Sequence, residues 1–125
     1  MIESSSHKNF TVKVDKLCKV YKLNRNQYKI ATNQISFGLK NGDCFALLGV
    51  NGAGKTTTFK MLSGDILPTS GKAFINQHEV PSQLREAQHD IGYCPQNDPL
   101  LDNLTGREHL YLFAALRGIP SSKVH

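Results

Sequence analysis

Ten residues near the middle of the chain, GVNGAGKTTT at positions 49–58, combine glycine, one lysine and a run of threonines in a spacing suited to phosphate. Gly49, four intervening residues and then Gly54-Lys55-Thr56 complete the pattern G-x-x-x-x-G-K-[ST]. Each residue type has a physical reason. Gly49, Gly52 and Gly54 let the backbone turn tightly and approach a ligand with no side chain in the way. Successive backbone N–H groups along Asn51, Gly52, Ala53 and Gly54 then line an anion nest. A helix starting near Gly54 adds its positive end, and Thr57 lies in its first turn. Lys55 supplies a point charge for the β- and γ-phosphates, and the Thr56 hydroxyl is placed to ligate Mg²⁺. The motif points to nucleotide phosphate without naming the nucleotide or the reaction.

A cradle of this kind needs a buried strand before it and a helix after it, and the flanking sequence predicts both. Ile35, Phe37 and Leu39 alternate as in a half-buried strand, Asn41-Gly42 gives a hairpin turn, and the apolar run 44–48 reads as the strand entering the loop. Residues 55–63 carry no proline and are followed by Gly64, the pattern of a glycine-capped helix. Upstream, Phe10, Val12 and Val14 alternate as a strand, and the polar stretch 22–29 reads as a loop. Downstream come a turn at 68–71, a short strand at 72–76, a short polar helix at 82–88 and a strand at 91–94. Thr105 and Glu108 form a capping box ahead of a helix on which Leu110, Phe113 and Ala114 recur at helical spacing, closed by Gly118.

The bulk properties bound the class. The chain has 125 residues, 39% hydrophobic and 20% charged, which fits one globular domain with a real core. The net charge of +5 favours polyanions in general, but the charges read as scattered, so this carries little weight. Cys18, Cys44 and Cys94 form no C-x-x-C pair, and Cys44 and Cys94 sit in apolar runs that suggest small core residues in a reducing setting. The five histidines show no metal-ligand spacing, and no apolar run reaches the length of a membrane span.

Three further stretches narrow the choice. GDCFALLGVNGAGKTTTFKMLSGD, PTSG and IGYCPQNDPLLDNLTGREHLYLFAALRGIP together resemble the nucleotide-binding domain of ATP-binding cassette (ABC) transporters, subfamily A, the lipid-exporter type. The resemblance covers nearly the whole chain from about Thr11 onward. It implies an α/β P-loop NTPase fold, an ABC-type ATPase core with an antiparallel β subdomain, with residues 1–7 a flexible tail and 8–125 the N-terminal portion of the cassette. It also implies ATP and Mg²⁺ as cofactors, a transmembrane domain and a second nucleotide-binding domain as partners, no nucleic acid, and a place at the cytoplasmic face of a membrane.

The resemblance also assigns roles. An aromatic residue ahead of the phosphate loop stacks on adenine in such cassettes, which points to Tyr21, with Tyr28 a rival and strand packing an alternative for either. Gln96, after the strand and proline of YCPQ, corresponds to the family's glutamine that contacts Mg²⁺ and the attacking water. The stretch after it, 97–104, is then the surface facing the membrane domain, with Leu100, Leu101 and Leu104 packing either there or internally.

Several family parts have no counterpart in the 125 residues: an LSGGQ signature after Gln96, four apolar residues followed by Asp-Glu, and a later histidine. LSGD at 62–65 lies before Gln96 and ends the helix after the phosphate loop, so it is no signature. The expectation is about half a cassette, which grips nucleotide and is inactive alone. Asp90, Asp98, Asp102 and Glu108 offer no general base. INQ at 75–77 stands where the family often has a glycine turn, which puts that loop's shape in question. Two other functions fit less well: a soluble ABC-class ATPase acting on ribosomes or nucleic acid, and a truncated nucleotide-binding pseudo-enzyme.

Overall fold

The structure, a computed structural model, describes residues 10–97 and 99–124. The tail at 1–7 and Asp98 therefore lie outside the described residues. The chain divides into two compact units, one ending at Tyr93 and one beginning at Cys94.

The first unit is built on an antiparallel sheet of four strands in the order β2-β1-β3-β4. β1 (Val12–Asn24) and β2 (Gln27–Leu39) form a long hairpin, closed by the pair Asn24 and Gln27. The loop expected over 22–29 is thus strand on both sides of a tight turn at Arg25 and Asn26. Both faces of the hairpin tip meet solvent, so the apolar alternation that reveals a strand is missing there. The hairpin also corrects the reading of charge as scattered. It holds Lys13, Lys16, Lys19, Lys22, Arg25 and Lys29 against the single acid Asp15.

β3 (Ser70–Ile75) pairs with β1, and β4 (His78–Val80) pairs with β3. Their connection is a two-residue turn at Asn76 and Gln77, whose φ angles are 45° and 73°. Positive φ at both central residues is what a hairpin turn needs to follow strand twist, and glycine normally supplies it. Here the turn keeps its shape without glycine. Asn76 is anchored by its side-chain amide, which donates to Asp90 Oδ2 at 2.8 Å, and by its N–H, which donates to Thr11 O at 2.8 Å.

Two expected strands are absent. The Asn41-Gly42 turn forms, with Asp43 N–H donating to Lys40 O at 3.1 Å, but residues 44–48 then run as irregular backbone. Residues 91–94 are irregular too. A continuous apolar run becomes a strand when neighbours pair with its edges and cover its faces. The sheet among the described residues offers neither segment a pairing strand. Leu48 is 87% exposed as a result, while Phe45 keeps one partner by stacking on Phe37 with centroids 4.9 Å apart. The same cause overturns the expectation of core cysteines, since Cys44 and Cys94 are both exposed.

The core lies on the face of the sheet that carries α1 (Lys55–Ser63) and α2 (Leu84–His89). Val14 and Leu17 from β1, Ala73 and Ile75 from β3, Val80 from β4, Met61 from α1 and Ala87 from α2 are all buried together. α1 ends at Gly64 in the left-handed region, as the sequence predicts. The second unit is α3 (Gly106–Leu116), entered through the complete Thr105–Glu108 capping box, and a 3₁₀ turn at Ser121–Lys123 that packs against it.

Candidate nucleotide-binding site

The phosphate motif sits where chain direction reverses into α1. Asn51 and Gly52 form a turn in which Ala53 N–H donates to Val50 O at 3.1 Å, and Gly52 has φ 85°. Gly54 caps the helix in the left-handed region, φ 91°, with no side chain bonded to the first-turn amides. No acidic residue lies in the first turn either. The positive end of α1 is therefore left without an internal anion, which is the electrostatic condition for holding an external one.

Gly54 is also a close contact. A Cβ there would lie 2.0 Å from the carbonyl oxygen of Ala31 and 3.1 Å from Thr32 Cγ2. Ala31 is the extra residue of a bulge in β2, where the register steps from Thr32 opposite Lys19 to Ile30 opposite Val20. Bulges re-aim a strand locally, and this one brings β2 against the start of α1. Neither Ala31 nor Thr32 stands out in the sequence. Thr32 is buried, and its hydroxyl finds no partner among the described residues.

The Lys55 ammonium folds back over the loop, donating to Gly49 O at 2.5 Å and Val50 O at 2.9 Å. Both acceptors are neutral carbonyls, so a phosphate oxygen offers the same ammonium a stronger, charge-assisted partner. The three threonines differ. Thr58 is buried and its hydroxyl donates to Gly54 O at 3.0 Å, so it is spent on the helix. Thr57 is half-buried and Thr56 is exposed. Of the two hydroxyls not spent on the helix, that of Thr56 is the more open to solvent. The bare amides, the lysine and this hydroxyl fit a magnesium-bound polyphosphate.

Tyr21 and Tyr28 occupy adjacent cross-strand pairs, Tyr21 opposite Lys29 and Lys22 opposite Tyr28, and so face opposite sides of the hairpin. Tyr21 is half-buried and Tyr28 is 62% exposed. The register position of Tyr21 is two residues along β2 from Ala31, about 7 Å at strand rise. Lys19, unremarked in the sequence, holds its ammonium 5.2 Å from the Tyr21 ring centroid while donating to Leu67 O at 2.7 Å. Gln96 is exposed and belongs to the second unit, as do Leu100, Leu101 and Leu104. Among the described residues no group of His, Cys, Asp or Glu could hold a metal by itself.

The sequence profile of the ABC transporter family matches residues 32–124, well over half of the chain. The chain belongs to the ABC transporter family. It is 53% identical over 112 residues to ATP-binding cassette sub-family A member 2 from Rattus norvegicus, covering 90% of this chain and 5% of that protein. It is 46% identical over 123 residues to the retinal-specific phospholipid-transporting ATPase ABCA4 from Mus musculus, covering 98% of this chain and 5% of that protein. Among solved structures, an ATP-binding subunit of an ABC transporter superposes with a TM-score of 0.75 at 28% identity, covering 90% of this chain and 45% of that one. A cassette dimer in a post-hydrolysis state with ADP and Pi superposes at 0.74 and 24% identity, a likeness of fold.

The chain is thus part of an ABC ATP-binding domain closely related to subfamily A, with the α/β core and antiparallel sheet of that class. It spans about a twentieth of the length of these relatives and under half of the solved cassettes. Family membership implies use of ATP and Mg²⁺. No helix among the described residues is long and apolar enough to cross a membrane.

Proposed function

We propose that this ABC-family chain is the nucleotide-gripping portion of a cassette that couples ATP binding and hydrolysis to lipid movement across a membrane. The observation that carries the reading is the start of α1. Its uncapped amides, its lack of a first-turn acid and the Lys55 ammonium converge on one loop. Gly49, Asn51, Gly52, Ala53, Gly54 and Thr57 line the phosphates with backbone donors, and Lys55 binds them as a point charge. Thr56 would ligate the magnesium that accompanies the phosphates, and the family resemblance assigns Gln96 a role toward that metal and the attacking water. Magnesium-bound ATP supplies the cleavable phosphoanhydride and neutralises part of its own charge. Tyr21 stacks on adenine, supported by its place on the hairpin two residues from the Ala31 bulge. The partners are a transmembrane domain of the same transporter and a second cassette, and the domain works at the cytoplasmic face.

The six cations of the hairpin are the observation on the side of a second reading, an ABC-class ATPase working on RNA or DNA. The strong likeness to subfamily A favours the transporter. The test is calorimetric titration of the chain with Mg-ATP. Lys55→Ala is expected to weaken binding about 10- to 100-fold, from the loss of a charge-assisted contact of about 1.5–3 kcal/mol. Equal affinity in the two proteins would refute the reading.

A further inference from the structure

His109 is buried, yet the phosphate chemistry makes no use of it. Both ring nitrogens are engaged. Nδ1 lies 3.0 Å from Thr105 O, and Nε2 lies 2.8 Å from Leu101 N. A carbonyl oxygen only accepts, so Nδ1 must carry the proton. A backbone N–H only donates, so Nε2 must be bare. The two partners together therefore select one neutral tautomer of the ring, the Nδ1–H form. The same turn is closed at its other end, where Leu104 N–H donates to Leu101 O at 2.9 Å. Leu101 is thus held through its N–H by the ring and through its carbonyl by the turn.

We infer that His109 is a positioning residue that tethers the turn at 101–104 to the first turn of α3, and that it does so only as the neutral Nδ1–H imidazole. Protonation of Nε2 sets one N–H against another, and the bond to Leu101 is lost while the bond to Thr105 O remains. The charged groups on the elements that meet here are Arg107 and Glu108 on α3, Arg117 at its C-cap, Asp102 in the turn and Lys123 in the adjoining 3₁₀ turn. Leu100 and Leu101, 57% and 54% exposed, are the apolar side chains whose presentation the tether controls. That this turn transmits to a membrane domain rests on the proposed function; the tether does not.

The tautomer and the tether are read separately in the 125-residue chain. Nitrogen-resolved NMR of the ring at neutral pH is expected to show a protonated Nδ1 and a bare Nε2; a neutral ring protonated at Nε2 would overturn the inference. Amide exchange at Leu101, corrected for its intrinsic rate, is expected to quicken about tenfold in His109→Phe, a loss of about one hydrogen bond. His109→Gln keeps an acceptor on the side chain and is expected to restore much of the protection. Hairpin amides at Val20 and Ile30 are expected to stay unchanged in both variants, as the control for folding. Unchanged protection at Leu101 in His109→Phe, or loss spread equally to the hairpin, overturns the tether. In a full-length transporter carrying His109→Phe, undiminished coupling of hydrolysis to transport would remove the membrane-facing reading of the turn and leave the tether standing.

Discussion

Tyr21 shows how a single residue acquires a role from its surroundings. Its ring has one face near the Lys19 ammonium, itself fastened to Leu67 O, so the ring is held from one side. Stacking on a base needs a ring face and no hydroxyl, and is worth about 1–3 kcal/mol. Tyr21→Ala is therefore expected to weaken ATP binding by about 5- to 100-fold, whereas Tyr21→Trp retains it. Parallel calorimetric titrations decide the matter: an equal loss in both variants would mean that Tyr21 serves strand packing. The same titration with Tyr28→Ala is expected to leave affinity unaltered, because Tyr28 faces the other side of the hairpin.

Two elements lend themselves to tests of how local chemistry sets local stability. The β3–β4 turn holds Gln77 at φ 73°, where a side chain crowds the backbone by about 1–2 kcal/mol. Replacing it by glycine relieves that crowding and returns about half of it as added chain entropy. Gln77→Gly is expected to raise stability by about 0.5–1 kcal/mol in urea denaturation, and a lowered midpoint would contradict the turn geometry.

The start of α3 responds to pH in a direction that can be worked out. The Thr105 hydroxyl and then its N–H donate to the Glu108 carboxylate, and together they hold its pKa below the ordinary glutamate value. A folded pKa below the unfolded one means that the cap contributes fully above the unfolded value. Its contribution fades as pH falls through the lowered folded value. NMR titration of the Glu108 side chain is expected to show a depressed midpoint, and Thr105→Ala to move it back up. A midpoint indifferent to Thr105→Ala would mean the capping box is not what stabilises the anion.

At the scale of the whole chain the prediction is that nucleotide binding and turnover separate. Transfer of a phosphoryl group to water needs a positioned nucleophile, a metal and donors around the developing charge. On the proposed reading the 125 residues supply the phosphate loop and Gln96. Glu108 is engaged with Thr105, and Asp90 with Asn76. Asp102 lies in the turn tethered by His109. Steady-state phosphate release from the purified chain is therefore expected to equal that of its Lys55→Ala variant. Release above background that vanishes with Lys55→Ala would show a competent ATPase. The exposed apolar side chains around the loop and on α3, Leu48, Val50, Leu110 and Leu116 among them, are expected to make the isolated chain prone to association. Light scattering against concentration measures this.

What the sequence settled by itself was local. The phosphate loop, the helix after it with its glycine cap and the capping box ahead of α3 all depend on contacts within a few residues, and the order of residue types carries that information. Pairing was another matter. Whether 22–29 is loop or hairpin, and whether 44–48 and 91–94 are strands, depends on which backbone edges and faces meet, which no short window records. Composition misled in both directions for that reason, hiding a strand whose faces are wet and suggesting two that find no neighbour. The Ala31 bulge against Gly54, the orphaned Thr32 hydroxyl, Lys19 fastened to Leu67 beside Tyr21 and the two bonds of His109 come from residues up to 48 positions apart or from ring geometry. Only the folded chain brings those atoms within reach of one another, so only the tertiary structure decided them.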